Sequence, residues 1–386
     1  MYHIKLLNRI SEAGLSVLDK SKFRITEDNE DGIILRSADM HSYELSDRLL
    51  GIARAGAGVN NIPIDKCSEK GIVVFNTPGA NANAVRELAI CGLMLASRKI
   101  VDGINWCREL PKDSPDVAKM VEKGKNAFTG CEIMGKTLGV IGLGKIGVMV
   151  ANAAVDLGME VFGYDPYMSV DAAWGLARRV KKAESYEELY QHCDYLTIHV
   201  PLNKETENML DKKAFSIMKK GMRILNLSRG GLVNNEDIKN AIKEGIVACY
   251  VTDFPDASVI DEENIIAIPH LGASTEESEE NCAYMASKQL AEFIEEGIIH
   301  NSVNLPDMTT EKNSFTRIII INRNTPNMLG QITSILAANH INIEHLFNRA
   351  KNDYAYTVLD TTTVPGEECI RSLNAIDGVL RVRVIE

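Results

Sequence analysis

The stretch TLGVIGLGKIGVMVANAAVDLGMEVFGYDP, residues 137–166, combines an apolar strand, a glycine-rich turn and a helix. Gly142, Gly144 and Gly147 form the pattern GxGxxG between that strand and that helix. In this pattern the first glycine permits a tight turn, the second lets a pyrophosphate approach the backbone, and the third lets the helix pack close to the sheet. The start of the helix adds amide donors and a partial positive charge. The stretch therefore predicts a dinucleotide-binding βαβ unit.

A second strand of this unit ends at Asp165, 18 residues after Gly147. A carboxylate at this position can accept hydrogen bonds from the ribose hydroxyls of adenosine. The same carboxylate would repel a ribose phosphate, and no arginine follows at once in DPYMSV. We therefore expect NAD rather than NADP as the cofactor.

Short apolar runs alternate with helical segments on both sides of this unit, and one long helix is predicted over residues 83–107, with Asn83 as a candidate cap. Such alternation favours parallel sheets that are covered on both faces. From residue 315 the order becomes strand, helix, strand, strand, helix, strand, which is ferredoxin-like. The predicted fold class is α/β, with two doubly wound parallel-sheet (Rossmann-like) domains followed by a ferredoxin-like βαββαβ domain.

Because the glycine motif lies in the middle of the chain, we expect a separate domain before it. The predicted boundaries are 1–95 for a substrate-binding domain, completed by 273–305, and 96–272 for the NAD-binding domain. A polar segment, 306–314, is predicted as a linker to a regulatory domain at 315–386. A substrate would then lie between the first two domains.

Composition excludes several classes of protein. The 386 residues have a net charge of −11, which disfavours nucleic acid or an anionic membrane as a partner. No apolar run approaches the roughly 20 residues needed to span a bilayer, and the N-terminus lacks a signal-peptide pattern. The eight cysteines are scattered without a CxxC pair, so we expect no disulfide framework, no metal site and a cytoplasmic location.

Two residues at strand ends are candidates for acid–base and electrostatic chemistry. Oxidation of a hydroxy acid by NAD needs a base for the hydroxyl proton and a cation for the carboxylate. Arg229 ends the predicted strand RILNLSRGG, and His270 ends NIIAIPH in the same half of the chain. A histidine beside an apolar run is more often a packed residue, but both ends should meet at one edge of a parallel sheet. An acid bonded to the imidazole would fix its tautomer, and Asp253 and Asp256 are the candidates.

Longer motifs extend this pattern over almost the whole chain. They are RAGAGVNNI, NTPGANANAVREL, GVIGLGKIG with YDP, HVPLNKETENML, LNLSRGGLVNNEDI and IPHLGASTEESEENCA. With them the chain resembles the D-isomer-specific 2-hydroxyacid dehydrogenases, and it is most similar to members that oxidise 3-phosphoglycerate to phosphohydroxypyruvate. The C-terminal part resembles an ACT domain. The alternatives are a reductase of hydroxypyruvate or 2-oxoglutarate, and a non-catalytic NAD-sensing protein.

The resemblance implies that Arg229 binds the carboxylate and polarises the carbonyl, and that His270 is the acid/base. The family's third residue is a glutamate in a segment of the type DVFxxEP, and here TDFPDASV puts Ser258 at that position. Either Asp256 substitutes for the glutamate from a shortened loop, or the acid is absent. We expect Asp256 as the partner of His270, and Asp253 near the nicotinamide.

The glycine motif and the resemblance together imply two sets of binding residues. The NAD site would be formed by Gly142, Gly144, Lys145, Ile146, Gly147, Asp165, Val200, Leu227, Asp253, Gly272 and Ala273. The small anionic substrate would be bound by Arg36, Ser37, Arg54, Gly56, Ala57 and Gly58. Two arginines suit a phosphate dianion, although they could instead pair with acids of this acidic protein.

For the C-terminal part, the resemblance implies a site for serine, the product of the pathway that phosphoglycerate oxidation begins. Asn322, Asn324 and Asn342 fit the family's serine-contacting positions, but Asn322 stands where serine-inhibited relatives have histidine. Asparagines near turns usually satisfy backbone groups, so a purely oligomerising domain is the alternative. The family resemblance implies a homodimer or homotetramer.

Overall fold

The computed structural model describes residues 1–312 and 315–386. The chain divides into two compact units, one of residues 1–81 with 276–386 and the other of residues 82–275. Within the described ranges, no helix has the length and apolar character that a membrane crossing requires. The same ranges contain no group of three or more His, Cys, Asp or Glu side chains suited to a metal ion.

The strands of the described chain are β1 (Tyr2–Leu6), β2 (Phe23–Ile25), β3 (Gly32–Leu35), β4 (Gly51–Arg54), β5 (Val73–Phe75), β6 (Thr137–Ile141), β7 (Glu160–Tyr164), β8 (Lys181–Lys182), β9 (Tyr195–Ile198), β10 (Met222–Asn226), β11 (Val247–Thr252), β12 (Ile265–Ala267), β13 (Thr316–Arg323), β14 (Ile343–Lys351), β15 (Tyr354–Thr361) and β16 (Val379–Ile385). The helices are α1 (Glu12–Leu15), α2 (Ile64–Glu69), α3 (Ala82–Ser97), α4 (Ile100–Glu109), α5 (Val117–Gly124), α6 (Lys145–Asp156), α7 (Val170–Gly175), α8 (Tyr186–His192), α9 (Lys212–Ser216), α10 (Asn235–Lys243), α11 (Glu276–Glu296), α12 (Met328–Ala338) and α13 (Glu367–Asn374).

The parallel sheet of the first unit has the order β2-β1-β3-β4-β5. This is the flavodoxin-like order, in which the chain reverses its direction of travel across the sheet between β1 and β3. Open α/β sheets bind ligands beyond the carboxyl ends of their strands at such a switch point. The loops after β1 and β3 are therefore the expected ligand-binding loops of this unit.

The second unit contains a parallel sheet in the order β12-β11-β10-β9-β6-β7-β8. Its switch point lies between β6 and β9. Both faces are covered, since α3 and α6 pack with Leu138 and Leu225, and α8, α9 and α10 pack with Ile198 and Ile224. The predicted α/β class with Rossmann-like parallel sheets is confirmed.

The predicted long helix over 83–107 is wrong. Lys99 has φ +36°, a left-handed conformation that ends the α-helical path between α3 and α4. Asn83 lies inside α3, where its side-chain amide donates to Glu87. Helix α3 also belongs to the second unit, because a Cβ at Gly92 would lie 3.0 Å from the Leu225 side chain. The boundary between the units thus falls at residues 81 and 82 rather than at 95, and the first unit resumes at residue 276 rather than at 273.

The C-terminal strands form an antiparallel sheet in the order β14-β15-β13-β16, with the predicted βαββαβ sequence of elements. Ile318 and Ile320 face α12 and α13. Ile319 and Ile321 belong to the core that includes Phe293 of α11. This sheet is therefore packed on both faces, which explains why it groups with the first unit instead of standing apart.

Side chains of this sheet donate to carbonyls at the C-terminal end of α11 and of Gly297 after it, where a helix runs out of amide partners. Arg383 donates to the carbonyl oxygens of Phe293 and Ile294, at 3.4 and 2.8 Å. Arg317 donates to Glu296 O at 2.9 Å, and the Tyr356 hydroxyl donates to Gly297 O at 2.7 Å. The positive guanidinium groups also suit the negative end of the helix dipole.

The predicted linker 306–314 is partly packed. Met308 is buried, and its amide and carbonyl both bond to Ile299. Asn313 and Ser314, the last residues of the predicted linker, lie outside the described residues.

Candidate active site

The glycine-rich turn between β6 and α6 has the shape that the motif predicts. Gly142 has φ +87°, and a Cβ there would lie 2.7 Å from the carbonyl oxygen of His199. A Cβ at Gly147 would lie 1.9 Å from the carbonyl oxygen of Gly142. A Cβ at Gly144 would meet no described atom within 4 Å. Two glycines are thus required by packing, while Gly144 leaves open space at the start of α6, which fits a pyrophosphate.

These contacts predict different outcomes for two alanine variants. Gly144→Ala should fold normally and bind NADH at least about tenfold more weakly, because the methyl group enters the space that the phosphates approach. Gly147→Ala should instead lower stability by roughly 1–3 kcal/mol through overpacking against Gly142. Calorimetric titration of NADH and thermal melting measure the two effects. Unchanged NADH affinity in Gly144→Ala would argue against this position for the phosphates.

Asp165 bonds to the glycine turn. Its Oδ2 accepts from the amide of Leu143 and its Oδ1 from the amide of Tyr167, both at 2.8 Å. Each oxygen keeps a lone pair free, so the carboxylate can still accept from ribose hydroxyls. The other predicted cofactor residues of this region lie at strand ends or at the helix start: Lys145 and Ile146 open α6, Val200 follows β9, and Leu227 follows β10.

The loop that bears Arg229 is fixed by a buried asparagine. Arg229 is exposed, three residues beyond the end of β10. The Asn226 side-chain amide donates to Arg229 O at 2.9 Å, and its Oδ1 accepts from the amide of Ser228 at 3.3 Å. The Ser228 hydroxyl donates to Ile198 O at 2.6 Å. Sequence reasoning missed Asn226, although a polar residue inside the apolar run RILNL was the available signal.

Asp253 connects the two predicted catalytic residues electrostatically. Its carboxylate is 1% exposed, and Oδ2 accepts from the amide of Gly272 at 3.3 Å. Burial raises the pKa of Asp253, and the nearby positive charges of His270 and Arg229 oppose that shift. Oδ1 is shielded from solvent and has no hydrogen-bond partner in the described part of the chain. His270 is exposed, and its ring packs on Phe254 with centroids 4.4 Å apart.

Asp256 is held away from this group. Its Oδ1 accepts from the amide and the hydroxyl of Ser258, at 2.8 and 2.5 Å, and Oδ2 accepts from Asn235 at 2.7 Å. The bonds to Ser258 lower the pKa of Asp256. Among the described residues it makes no hydrogen bond or ion pair with His270. The geometry thus gives no support to the expected pairing of Asp256 with His270. Asp253 is the acidic residue that interacts electrostatically with His270.

In the first unit, Asn8 organises the loop after β3. Its Oδ1 accepts from three successive amides, those of Arg36, Ser37 and Ala38, at 3.1, 3.0 and 2.8 Å. Such a run of amides can bind an anion, but here the amides bind Oδ1 of Asn8 instead. The loop lies at the switch point of the first sheet. Since these three amides are occupied, a ligand here would have to bind side chains such as those of Arg36 and Ser37.

Arg54 joins the loops that follow β3 and β4. Its Nε donates to Arg36 O at 3.0 Å, and its Nη1 donates to Gly58 O. Ala57 O accepts from the side-chain amide of Asn76 at 2.6 Å. The predicted substrate residues Arg36, Arg54 and Gly58 are therefore joined by hydrogen bonds of the Arg54 side chain.

Arg36 has an acidic partner. Its Nη1 lies 2.5 Å from Oε1 of Glu279, in the first turn of α11, and the two side chains are 37% and 46% exposed. At Arg36 the structure therefore shows the alternative, in which a predicted substrate arginine pairs with an acid of the same protein. Sequence reasoning did not find Glu279, which lies far from Arg36 along the chain.

The three asparagines of the C-terminal sheet do not converge within one chain. Asn322 and Asn324 lie at the carboxyl end of β13, and Asn342 precedes β14. Strands β13 and β14 each run antiparallel to β15 and are therefore parallel to one another. The end of β13 and the start of β14 thus lie at opposite ends of the strands, roughly 20 Å apart. A site formed by all three residues would require a second chain.

Comparisons with known proteins identify the family. Residues 92–272 match the family model described as the D-isomer specific 2-hydroxyacid dehydrogenase, NAD binding domain. A D-3-phosphoglycerate dehydrogenase of Methanocaldococcus jannaschii is 33% identical over 319 residues, 80% of this chain. A Schizosaccharomyces pombe protein provisionally given the same name is 30% identical, over 92% of this chain and 82% of its own length. The chain belongs to the D-isomer specific 2-hydroxyacid dehydrogenase family.

The present chain also resembles the solved structure of an NAD+-bound 3-phosphoglycerate dehydrogenase from Entamoeba histolytica, with a TM-score of 0.61 and 26% sequence identity. The match covers 78% of this chain and 98% of the E. histolytica chain. The prediction of NAD as cofactor is confirmed, with residues 92–272 in the NAD-binding domain. This chain spans 58% of the M. jannaschii relative and 61% of a Bacillus subtilis relative of the same name.

Proposed function

We propose that this protein is an NAD-dependent dehydrogenase that oxidises 3-phospho-D-glycerate to 3-phosphohydroxypyruvate in a reversible reaction, the first step towards serine. The observation that supports this best is the grouping of Arg229 and His270 around the buried Asp253, at the carboxyl edge of the NAD-binding sheet. When bound, NAD accepts hydride from the hydroxyl-bearing carbon of the substrate.

The side chains of the second unit supply the remaining chemistry. The Arg229 guanidinium binds the substrate carboxylate and stabilises negative charge on the reacting oxygen. A ring nitrogen of His270 takes the hydroxyl proton during oxidation and returns it during reduction. Asp253 stabilises the imidazolium that forms, as the absent family glutamate would.

Asp253 and Asp256 can be distinguished by their effect on the pH profile. Asp253→Asn should move the basic limb of the reduction profile to lower pH, because the protonated form of the acid/base loses a nearby negative charge. Asp256→Asn should leave that limb in place, since its carboxylate bonds to Ser258 and Asn235. Initial rates of NADH oxidation between pH 6 and 10 measure both. A shift in Asp256→Asn alone would restore Asp256 as the acid partner.

Two features support a phosphorylated substrate. Arg36 follows β3 and Arg54 ends β4, near the switch point of the first sheet, and guanidinium groups bind phosphate through charge-assisted hydrogen bonds. With a net charge of −11, the protein needs such local cations to attract an anion. The curated relatives named D-3-phosphoglycerate dehydrogenase agree with this substrate.

The test follows NADH absorbance with phosphohydroxypyruvate, hydroxypyruvate and 2-oxoglutarate in parallel. We expect the highest kcat/KM with phosphohydroxypyruvate. A higher value with either of the other acids would favour the alternative of a reductase for that acid. No NADH oxidation with any of them would leave a non-catalytic NAD-sensing protein.

Exposed apolar residues of the second unit support a homodimer. Ile100 and Ile104 of α4 and Met120 of α5 are exposed beside the contact of Trp106 with Phe128. We expect sedimentation equilibrium to give at least twice the chain mass of 42.6 kDa. A mass of one chain at micromolar concentration would contradict this.

The free thiols of all eight cysteines also favour a reducing compartment such as the cytoplasm.

Serine is the proposed effector of the C-terminal sheet, bound between two chains through Asn322, Asn324 and Asn342, in the manner of an ACT domain. Asn322 is 2% exposed, and its Oδ1 has no hydrogen-bond partner among the described residues. Titration of serine into the rate assay tests this, and an unchanged rate at millimolar serine would leave the sheet with an oligomerising role.

A further inference from the structure

The ion pair of Arg36 with Glu279 sets the charge of the loop that would bind the substrate's distal group. The two side chains meet at 2.5 Å, while both remain more than one third exposed. A guanidinium that faces a carboxylate offers an incoming anion less net positive charge than a free one does. The anion must therefore displace Glu279, or bind beside it.

The loop itself does not depend on this pair. Its amides are held by Asn8, and the carbonyl of Arg36 accepts from Arg54 and Asn61 at 3.0 and 3.3 Å. Glu279 reaches the loop through the guanidinium of Arg36. Removing the charge of Glu279 should thus leave the loop in place and change only the electrostatics of Arg36.

The pair is also exchangeable. Exposed ion pairs are weak because water and salt screen them, so a dianion can compete for the arginine. Glu279 lies in the first turn of α11, so the positive end of the helix dipole still stabilises its carboxylate when the pair opens.

We propose that Glu279 is a specificity-determining residue that occupies Arg36 in the absence of substrate and competes with the distal anionic group of the substrate. This inference rests on the proposed function. This competition weakens the binding of a substrate more strongly the more negative charge its distal group carries. Glu279 therefore adjusts how tightly the enzyme holds phosphorylated acids relative to uncharged analogues of similar size.

The test compares Glu279→Gln with Glu280→Gln, which removes the same charge one residue away. In Glu279→Gln, the KM for phosphohydroxypyruvate should fall about tenfold, that for 2-oxoglutarate about threefold, and that for hydroxypyruvate should not change. The kcat values should be unchanged, and the differences should shrink at 0.5 M salt. Glu280→Gln should match the wild type, since Glu280 has no ion pair in the described ranges.

Equal KM values in Glu279→Gln and the wild type would overturn the proposal, and so would a higher KM, which would make Glu279 a support for Arg36. Titration of inorganic phosphate by calorimetry gives a readout without turnover, and Glu279→Gln should bind it more tightly. If the wild type reduces none of the three acids, the proposed function fails, and the phosphate titration still tests the ion pair.

Discussion

Replacing His270 with asparagine should lower kcat for phosphohydroxypyruvate reduction by about 10²- to 10⁴-fold, the usual contribution of a positioned acid or base. The side chain is exposed beside Phe254 and near the charge of Asp253, so its loss removes proton transfer without opening the core. NADH affinity should stay within about threefold of the wild type, because the glycine turn and Asp165 are untouched. Stopped-flow absorbance and a fluorescence titration of NADH measure these quantities.

His192→Asn is the matched control. This histidine is exposed at the end of α8, where its ring bonds to Glu188 O, and its replacement should leave kcat unchanged. Full activity in His270→Asn would remove the residue from the mechanism. An equal loss in both variants would point to a general effect on folding instead of proton transfer.

The cofactor half of the site could be predicted from sequence because its determinants are local. Gly142, Gly144 and Gly147 act within a single turn, and Asp165 directly follows β7 and bonds back to that turn. A Cβ at Gly147 would clash with Gly142 of the same turn, whereas a Cβ at Gly142 would clash with the carbonyl of His199, which the motif does not contain. The switch point of a Rossmann-like sheet then fixes where the site lies.

The choice between Asp253 and Asp256 could not be made from sequence. The two residues lie three positions apart; spacing from the family motif reaches Ser258, and Asp256 was preferred as a substitute from a shortened loop. Their environments are set by tertiary contacts: Asp253 is buried against the amide of Gly272, while Asp256 turns outward to Ser258 and Asn235. Glu279 was missed for a related reason, since only the packing of α11 in the first unit brings it to Arg36.

The C-terminal sheet was predicted element by element, but its packing was not. The run of four isoleucines, 318–321, puts apolar side chains on both faces of β13, which a separate two-layer domain would not need. That signal was present in the sequence. The arginines that reach α11 were not recognisable, because a charged residue in a strand usually faces water.

Replacing Asp360 with alanine should destabilise the C-terminal sheet by about 3–5 kcal/mol, because it leaves the charge of Arg317 buried without its partner. Arg317 is fully buried and Asp360 is 2% exposed, and they share two hydrogen bonds of 2.8 and 3.1 Å. Hydrogen exchange of peptides from β13 and β15 measures the loss, since local protection does not require the whole chain to unfold in one step.

Two variants make this prediction specific to the buried pair. Asp116→Ala breaks an exposed ion pair with Lys119 and should change exchange very little. The double variant Arg317→Met with Asp360→Leu removes both charges and should recover part of the lost protection. Recovery should be incomplete, because Met cannot donate to the carbonyls of Glu296, Thr310 and Glu311 that Arg317 satisfies. Full recovery would mean that the unpaired charge of Arg317 alone causes the loss in Asp360→Ala, and that the cap on α11 contributes nothing measurable.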